Sequence, residues 1–433
     1  MKLIQNLALK YAKFSLNRSL KSQLNLDILP HATTTPPDPD ITYMLYAHIP
    51  FCHTFCPYCS FHKYAYDESI AKEYFKNLRL EMEQIHALGY KFNSMYVGGG
   101  TTLIDENELI KTLELAKRLF NIDEISCESD PSHIEPNNLR RFKGLIKRLS
   151  IGVQSFNDDI LKRVGRYDKF GSSQALITKL KNAVGILPIT SIDLIFNFPN
   201  QTKDMLINDI NLAKSINADQ ITFYPLMKSN LTKAKIASSL GVSKFDNEFE
   251  FYTIIEENFK DYHKNNAWSY AKNRSNFNDE YVSSKHEYLG IGSGGFSFIN
   301  GKLFINAFNL NEYNSKIQNN QSSIIASCEF KPKERIKYLF LTEIFSGFID
   351  ISKFNQTNKT NLLKTLNIEL RLLSLVGAIK ITDNMIESTK FGRYLWVSLM
   401  KEFYIGMDRV RAIFKDDAKI KNSSKINIMK SQI

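Results

Sequence analysis

Three cysteines, Cys52, Cys56 and Cys59, fall within the segment IPFCHTFCPYCSF (49–61) of a chain that has five cysteines in 433 residues. Thiols this close can do three things. The pair Cys56-Pro57-Tyr58-Cys59 could work as a redox dithiol. A zinc ion could take the three thiolates with His53 or His62 as a fourth ligand. Or the three thiolates could hold an iron–sulfur cluster. A dithiol leaves Cys52 idle, and structural zinc motifs do not bunch their ligands in this way. A 4Fe-4S cubane suits the number three: three thiolates take three irons and leave the fourth open to a ligand that is not protein. The odd, clustered set, completed by Cys127 and Cys328, is no disulfide framework and implies a reducing cytoplasm.

Such a loop needs a rigid base. After the linker TTTPPDPD (33–40), short apolar runs at 43–50, 94–100, 124–130, 148–155, 189–199 and 220–227 alternate with amphipathic helical stretches. That alternation predicts six parallel strands with right-handed crossovers, an incomplete TIM-like (β/α)6 barrel. Barrel chemistry sits at the C-terminal ends of strands, and so do the residues of interest. Cys52 follows the first strand, Gly98-Gly99-Gly100-Thr101 closes the second, Glu128 lies late in the third and Gln154 ends the fourth.

The flanks read differently. Residues 1–40 combine an N-terminal surface helix with the proline-rich linker; 41–300 hold the barrel. Residues 301–415 are mostly helical, with the strand-like AIKIT, and suggest a small winged-helix-like domain; 416–433 form a basic polar tail. The aromatics Phe391, Tyr394, Trp396, Phe403 and Tyr404 fit a helical core better than a cap over the barrel. The formal charge of +11 is spread along a Lys-, Asn- and Ile-rich chain, so it reads as composition and not as a nucleic-acid footprint. A basic surface equally suits a substrate with several carboxylates. No run of about 18 apolar residues occurs, so no membrane span is expected.

The spacing Cys-x3-Cys-x2-Cys resembles the signature of the radical S-adenosylmethionine (SAM) superfamily. YAHIPFCHTFCPYCSF, GGGT, ESDP, SIGVQSF, VGRYD, DLIFNFPNQT and EYLGIGSGG occur in that order. Together they resemble the oxygen-independent coproporphyrinogen III oxidase family, which also contains heme chaperones. The likeness runs from about residue 43 to 295, with a weaker echo in ITDNMIESTKFGRYLWVSL. It implies that Cys52, Cys56 and Cys59 ligate a 4Fe-4S cluster whose open iron chelates SAM. Tyr46 would lie against the sulfonium. Gly99, Gly100 and Thr101 would approach the methionyl amine and carboxylate, Glu128 would accept from the amine and Arg166 would pair with the carboxylate. Gln154 and Asp193 would hold the ribose hydroxyls or neighbouring groups. A reduced flavodoxin or ferredoxin-type donor would supply the electron.

The chain departs from the family at telling places. The oxidases carry a further cysteine two residues after the third ligand, where this chain has Phe61. The chaperones carry His-Asn-x-x-Tyr-Trp before the Tyr-Leu-Gly-Ile-Gly segment, where this chain reads NFNDEYVSSKHEYLGIG, with His286 as its one histidine. Thr102 stands in place of a proline after GGGT, and Asp168 near the usual histidine after VGRY. The resemblance therefore implies intact cofactor machinery with a substrate side of its own. The leading expectation is an oxidoreductase that makes a 5′-deoxyadenosyl radical to act on a tetrapyrrole. The alternatives are a heme chaperone and a heme-degrading or methyl-transferring relative.

Overall fold

The structure, a computed structural model, describes residues 1–243, 245–273, 287–415 and 424–427. His286 and most of the loop before it lie outside the described residues, as does most of the basic tail. Helix α1 (Leu3–Gln23) leads into strand β1 (Asn25–Ile28). Next come β2 (Tyr43–Ile49), the short β3 (Phe51–Cys52) and β4 (Tyr64–Ala65), then β5 (Phe92–Gly99), β6 (Glu124–Ser129), β7 (Arg148–Gln154), β8 (Ile189–Phe196) and β9 (Gln220–Pro225). The strands β2, β5, β6, β7, β8 and β9 are the six expected from the sequence, each within three residues of its predicted end. They pair in parallel in chain order. All seven residues of β2 are buried, as a strand covered on both faces requires. The crossover helices start where acceptor side chains cap them: Asp67 accepts from the Ile70 amide, Asp105 from Glu108 and Thr202 from Met205.

The sheet does not stop at six strands. It gains β10 (His263–Asn266), β11 (Ser269–Ala271), β12 (Tyr288–Ile291), β13 (Phe296–Ile299), β14 (Lys302–Asn306) and β15 (Ile324–Glu329). A C-terminal strand that pairs with β1, Lys425–Asn427, completes an order of 14. The result is a long mixed α/β sheet in which β12 continues the parallel set beside β2 and the rest is antiparallel. Residue 300, where the sequence suggests a domain boundary, lies in the β13–β14 hairpin. Asn300 and Gly301 both have positive φ there, the two-residue Asn-Gly turn that matches strand twist. That dipeptide was a readable signal for the two strands it joins, β13 and β14, which periodicity alone does not reveal.

Beyond the sheet, helices Pro332–Ile344 and Lys390–Phe414 pack with a three-stranded antiparallel sheet formed by Phe348–Asp350, Ile379–Ile381 and Met385–Ser388. Phe391, Tyr394 and Trp396 are buried in the same core as the main sheet, with Phe403 and Tyr404 against it, which agrees with the core reading and not with a cap.

One buried carboxyl ties β7 to the helix Lys203–Ile216. Asp209 accepts from Ser155 Oγ (2.8 Å) and from the Phe156 amide (2.7 Å), just past Gln154. Burial outweighs these bonds and pushes its pKa from 3.8 up to about 7. Between those values the unfolded chain has released the proton and the folded one has not. Stability therefore falls as pH rises from about 4 to about 7, by at most roughly 1.4 kcal/mol per unit. Urea melts across that range should show a stability difference between wild type and Asp209→Asn that changes with this sign. A difference independent of pH would contradict it.

Candidate functional site

Cys52 ends β3, and Cys56 and Cys59 stand on the loop that joins it to β4, with which β3 pairs in parallel. The Tyr64 amide donates to the Pro50 carbonyl (2.5 Å) and the Tyr66 amide to that of Cys52 (3.0 Å), closing the loop at its base. Within it the Cys59 amide donates to the Cys56 carbonyl (3.2 Å), forming the turn that Pro57 begins. Cys52, Cys56 and Cys59 are free thiols, each partly exposed, whereas Cys127 and Cys328 are buried. Among the described residues no three His, Cys, Asp or Glu side chains are grouped to hold a single metal ion. The thiolates of a cubane bind three different irons.

The glycine loop after β5 is laced to this segment. The Gly100 amide donates to Ile49 O and the Thr101 amide to Phe51 O, both at 2.8 Å. A Cβ on Gly100 would lie 2.4 Å from the Phe51 carbonyl oxygen, so only glycine permits this contact. The Gly99 amide donates to Glu128 Oε2 (3.2 Å), and Tyr96 Oη donates to Oε1 (2.8 Å). Burial raises the pKa of Glu128, against those two bonds and the charge of Arg148. Thr101 Oγ1 lies 3.8 Å from Cys52 Sγ and donates to Asp130 Oδ2 (3.1 Å). Burial alone would raise Asp130, but Lys169, 2.7 Å away, and Ser132 outweigh it and hold its pKa down to about 2.

Arg166 reaches the loop from the other side. Its Nη1 faces Cys56 Sγ (3.6 Å) and Tyr58 Oη (3.3 Å), and Nη2 donates to the Gly152 carbonyl. Its guanidinium lies 4.5 Å from the centre of the Phe170 ring. Burial works against the charge, yet Tyr58, Cys56 and Asp130 raise its pKa above the ordinary arginine value. Gln154 ends β7 with φ +77 at a break in register with β8, a conformation that costs a non-glycine residue. Asp193 accepts from Ser150 Oγ at 2.7 and 2.8 Å. Asp168 is exposed, while its neighbour Lys169 makes the ion pair with Asp130.

Beneath the loop sits a pair of histidines: His48, to which the sequence assigned no role, and His62, which it offered only as a zinc ligand. His48 Nε2 lies 3.0 Å from the His62 carbonyl. A carbonyl only accepts, so Nε2 carries the proton, and Nδ1 accepts from Tyr46 Oη (2.9 Å). Burial, with Arg411 and Lys415 nearby, drives the pKa of His48 down to about 4. His62 is also neutral: its Nε2 lies 3.1 Å from Ser293 Oγ, which itself donates to the Phe308 carbonyl. His62 is thus engaged away from the thiols, and His53 packs edge-on to Tyr66. Gly294, at φ +72, would carry a Cβ 2.5 Å from the His62 ring. The EYLGIGSGG motif therefore supports the cysteine loop from below. The signal for these histidines was their place at the cysteine motif, His48 two residues before Pro50 inside it and His62 directly after its last residue, Phe61.

The fold and this constellation define a radical SAM protein: a family model described as the radical SAM superfamily matches residues 46–213. The chain belongs to the HemW/HemN, or oxygen-independent coproporphyrinogen III oxidase, family within it. It is 30% identical over 285 residues to the heme chaperone HemW of Bacillus subtilis, covering 62% of this chain and 74% of that one. To HemW of Buchnera aphidicola from Schizaphis graminum it is 29% identical, covering 83% and 97%. The oxygen-independent coproporphyrinogen III oxidase of Escherichia coli is 30% identical over 43% of this chain and 42% of its own. In structure the chain resembles the coproporphyrinogen III oxidase HemN of Escherichia coli, with a TM-score of 0.68 at 21% identity, covering 84% and 91%.

Membership implies a 4Fe-4S cluster and SAM, and the residues fit them. The donor set is three partly exposed thiols on one short segment, and the buried Nε of Arg166 beside them has no hydrogen-bond partner among the described residues. Gly100→Ala should push the two loops apart at a cost of roughly 1–3 kcal/mol. Iron retained after anaerobic reconstitution should fall below half the wild-type content, with a lower melting temperature. Full iron retention would contradict the backbone lock.

Proposed function

We propose that this chain is a heme-binding member of the family, of the chaperone kind, which holds a 4Fe-4S cluster and SAM without turning over a porphyrin. The observation that carries the reading is Phe61. It stands where the family's oxidases have their further cysteine, and its ring packs under the guanidinium of Arg411 at 5.0 Å. A phenyl ring offers no thiol for proton or hydrogen transfer. The relatives HemW of Bacillus subtilis and of Buchnera are named heme chaperones, and the latter matches along nearly its whole length.

In this reading the six parallel strands form the family's incomplete (β/α)6 barrel across 41–300, and residues 301–415 form the winged-helix-like companion domain. Cys52, Cys56 and Cys59 would each hold one iron. When bound, cluster and SAM together supply one-electron chemistry at the sulfonium. Glu128, already accepting from the Gly99 amide, would take the methionyl amine, while Arg166 would draw the carboxylate. Gly99, Gly100 and Thr101 would line that end of the site, and Gln154 and Asp193 the ribose end. Tyr46 gives its hydroxyl proton to His48, so its oxygen would face the sulfonium with lone pairs. A reduced flavodoxin or ferredoxin-type donor would serve the cluster.

The second reading, a porphyrin-directed oxidoreductase, draws on the same cofactor side, since nothing on it departs from the family apart from Thr102 and Asp168. Two measurements on the reconstituted protein separate them. Hemin titration should saturate at a fixed stoichiometry. Release of 5′-deoxyadenosine should not rise when coproporphyrinogen III is added. Release stimulated severalfold by that substrate, and lost in Cys56→Ala, would overturn the chaperone reading in favour of the enzyme.

A further inference from the structure

Helix α1 carries two apolar faces, and the fold uses one. Leu9 and Leu20 are buried, with Ala8, Ala12 and Leu16 against the core, and Leu20 packs so closely on Gly406 that a Cβ there would lie 2.9 Å from it. The opposite face presents Leu3, Leu7, Tyr11 and Phe14, exposed by 77, 58, 63 and 62%. Their spacing of four, four and three residues makes one stripe about 16 Å long. Isolated exposed leucines are ordinary, but a continuous apolar patch is not.

This patch continues past the helix. A groove of about 600 Å³ runs between α1 and the C-terminal helices, walled by Ile4, Leu7 and Tyr11 on one side and Leu372, Leu373 and Val376 on the other. The helix Asn367–Leu375 adds Ile368 and Leu375, 68 and 76% exposed, three or four residues from Leu372. Cations border the stripe. Lys10, Arg18 and Lys21 are exposed and form no ion pair among the described residues. Residues 1–26 contain five lysines and arginines and no acidic residue.

An apolar stripe edged by unpaired cations is the pattern of a helix that lies in a lipid interface. A second copy of the chain is a poorer occupant, because stripe against stripe would bring the same cations together. An anionic bilayer satisfies both halves of the surface: acyl chains take Leu3, Leu7 and Phe14, and headgroups take Lys10, Arg18 and Lys21. We propose that α1 and the helix Asn367–Leu375 form a docking face for an anionic lipid surface. Docking of this kind needs no membrane-spanning segment, and among the described residues no helix is long and apolar enough to be one. The proposal is independent of the heme reading.

Full-length protein would be sedimented with phosphatidylglycerol and with phosphatidylcholine vesicles at low and high salt. The expected result is binding to phosphatidylglycerol, at least tenfold weaker to phosphatidylcholine, and weakened by salt. Leu7→Asp with Phe14→Asp should reduce binding at least tenfold, and so should the triple reversal Lys10→Glu, Arg18→Glu, Lys21→Glu. Because these side chains are exposed, the melting temperature should not change. Absence of wild-type binding at low salt, or equal binding by both variants, overturns the proposal. A concentration-dependent dimer lost in the variants, without vesicle binding, also overturns it and assigns the face to a second copy.

Discussion

The backbone of Phe51 lies against the backbone of Gly100 with no room for a side chain between them, and the placement of all three thiols depends on that contact. Cys52 follows Phe51 directly, and Cys56 and Cys59 hang from the short ribbon that Phe51 and Cys52 form with Tyr64 and Ala65. Two hydrogen bonds from Gly100 and Thr101 fix the start of the ribbon to the end of β5. The parallel pairing of β2 with β5 then refers the whole assembly to the centre of the sheet. A cluster ligated by three residues has no fourth protein ligand to correct a misplaced loop, so the scaffold has to hold the loop's geometry before the metal arrives.

Charge around the loop is arranged to the same end. His48 and His62 lie directly under it and are kept neutral by burial and by the cations Arg411 and Lys415. Neutral rings can fix hydrogen bonds, from Tyr46 to His48 and from His62 to Ser293, without adding positive charge in a dry interior. The charges that do stand beside the thiols are Arg166, facing Cys56, and Lys63, on the Cys59 carbonyl, while Asp130 is balanced by Lys169 and positions Thr101 next to Cys52.

Much of this was legible in the residues. Strand–helix alternation located six of the seven parallel strands, each followed by its crossover helix, and missed β12, which follows no such unit. The spacing of the thiols carried the cofactor class, and the motif order carried the family. The antiparallel extension was not legible from periodicity: its strands are short, and the first of them, Asn25–Ile28, finds its partners some 300 and 400 residues later. The roles of His48, His62 and the EYLGIGSGG glycines were hidden for a different reason. They act by packing across the chain, and spacing along a sequence does not report which ring lies against which backbone.

The central claim is that three thiols hold a cluster with one iron open to SAM. Mössbauer spectra of protein reconstituted with iron-57, recorded before and after adding SAM, address it directly. The account predicts that one iron of the four becomes distinct when SAM is added while the other three keep their parameters. A cluster whose irons all ignore SAM, or a protein that binds zinc and no iron–sulfur cluster, would contradict it.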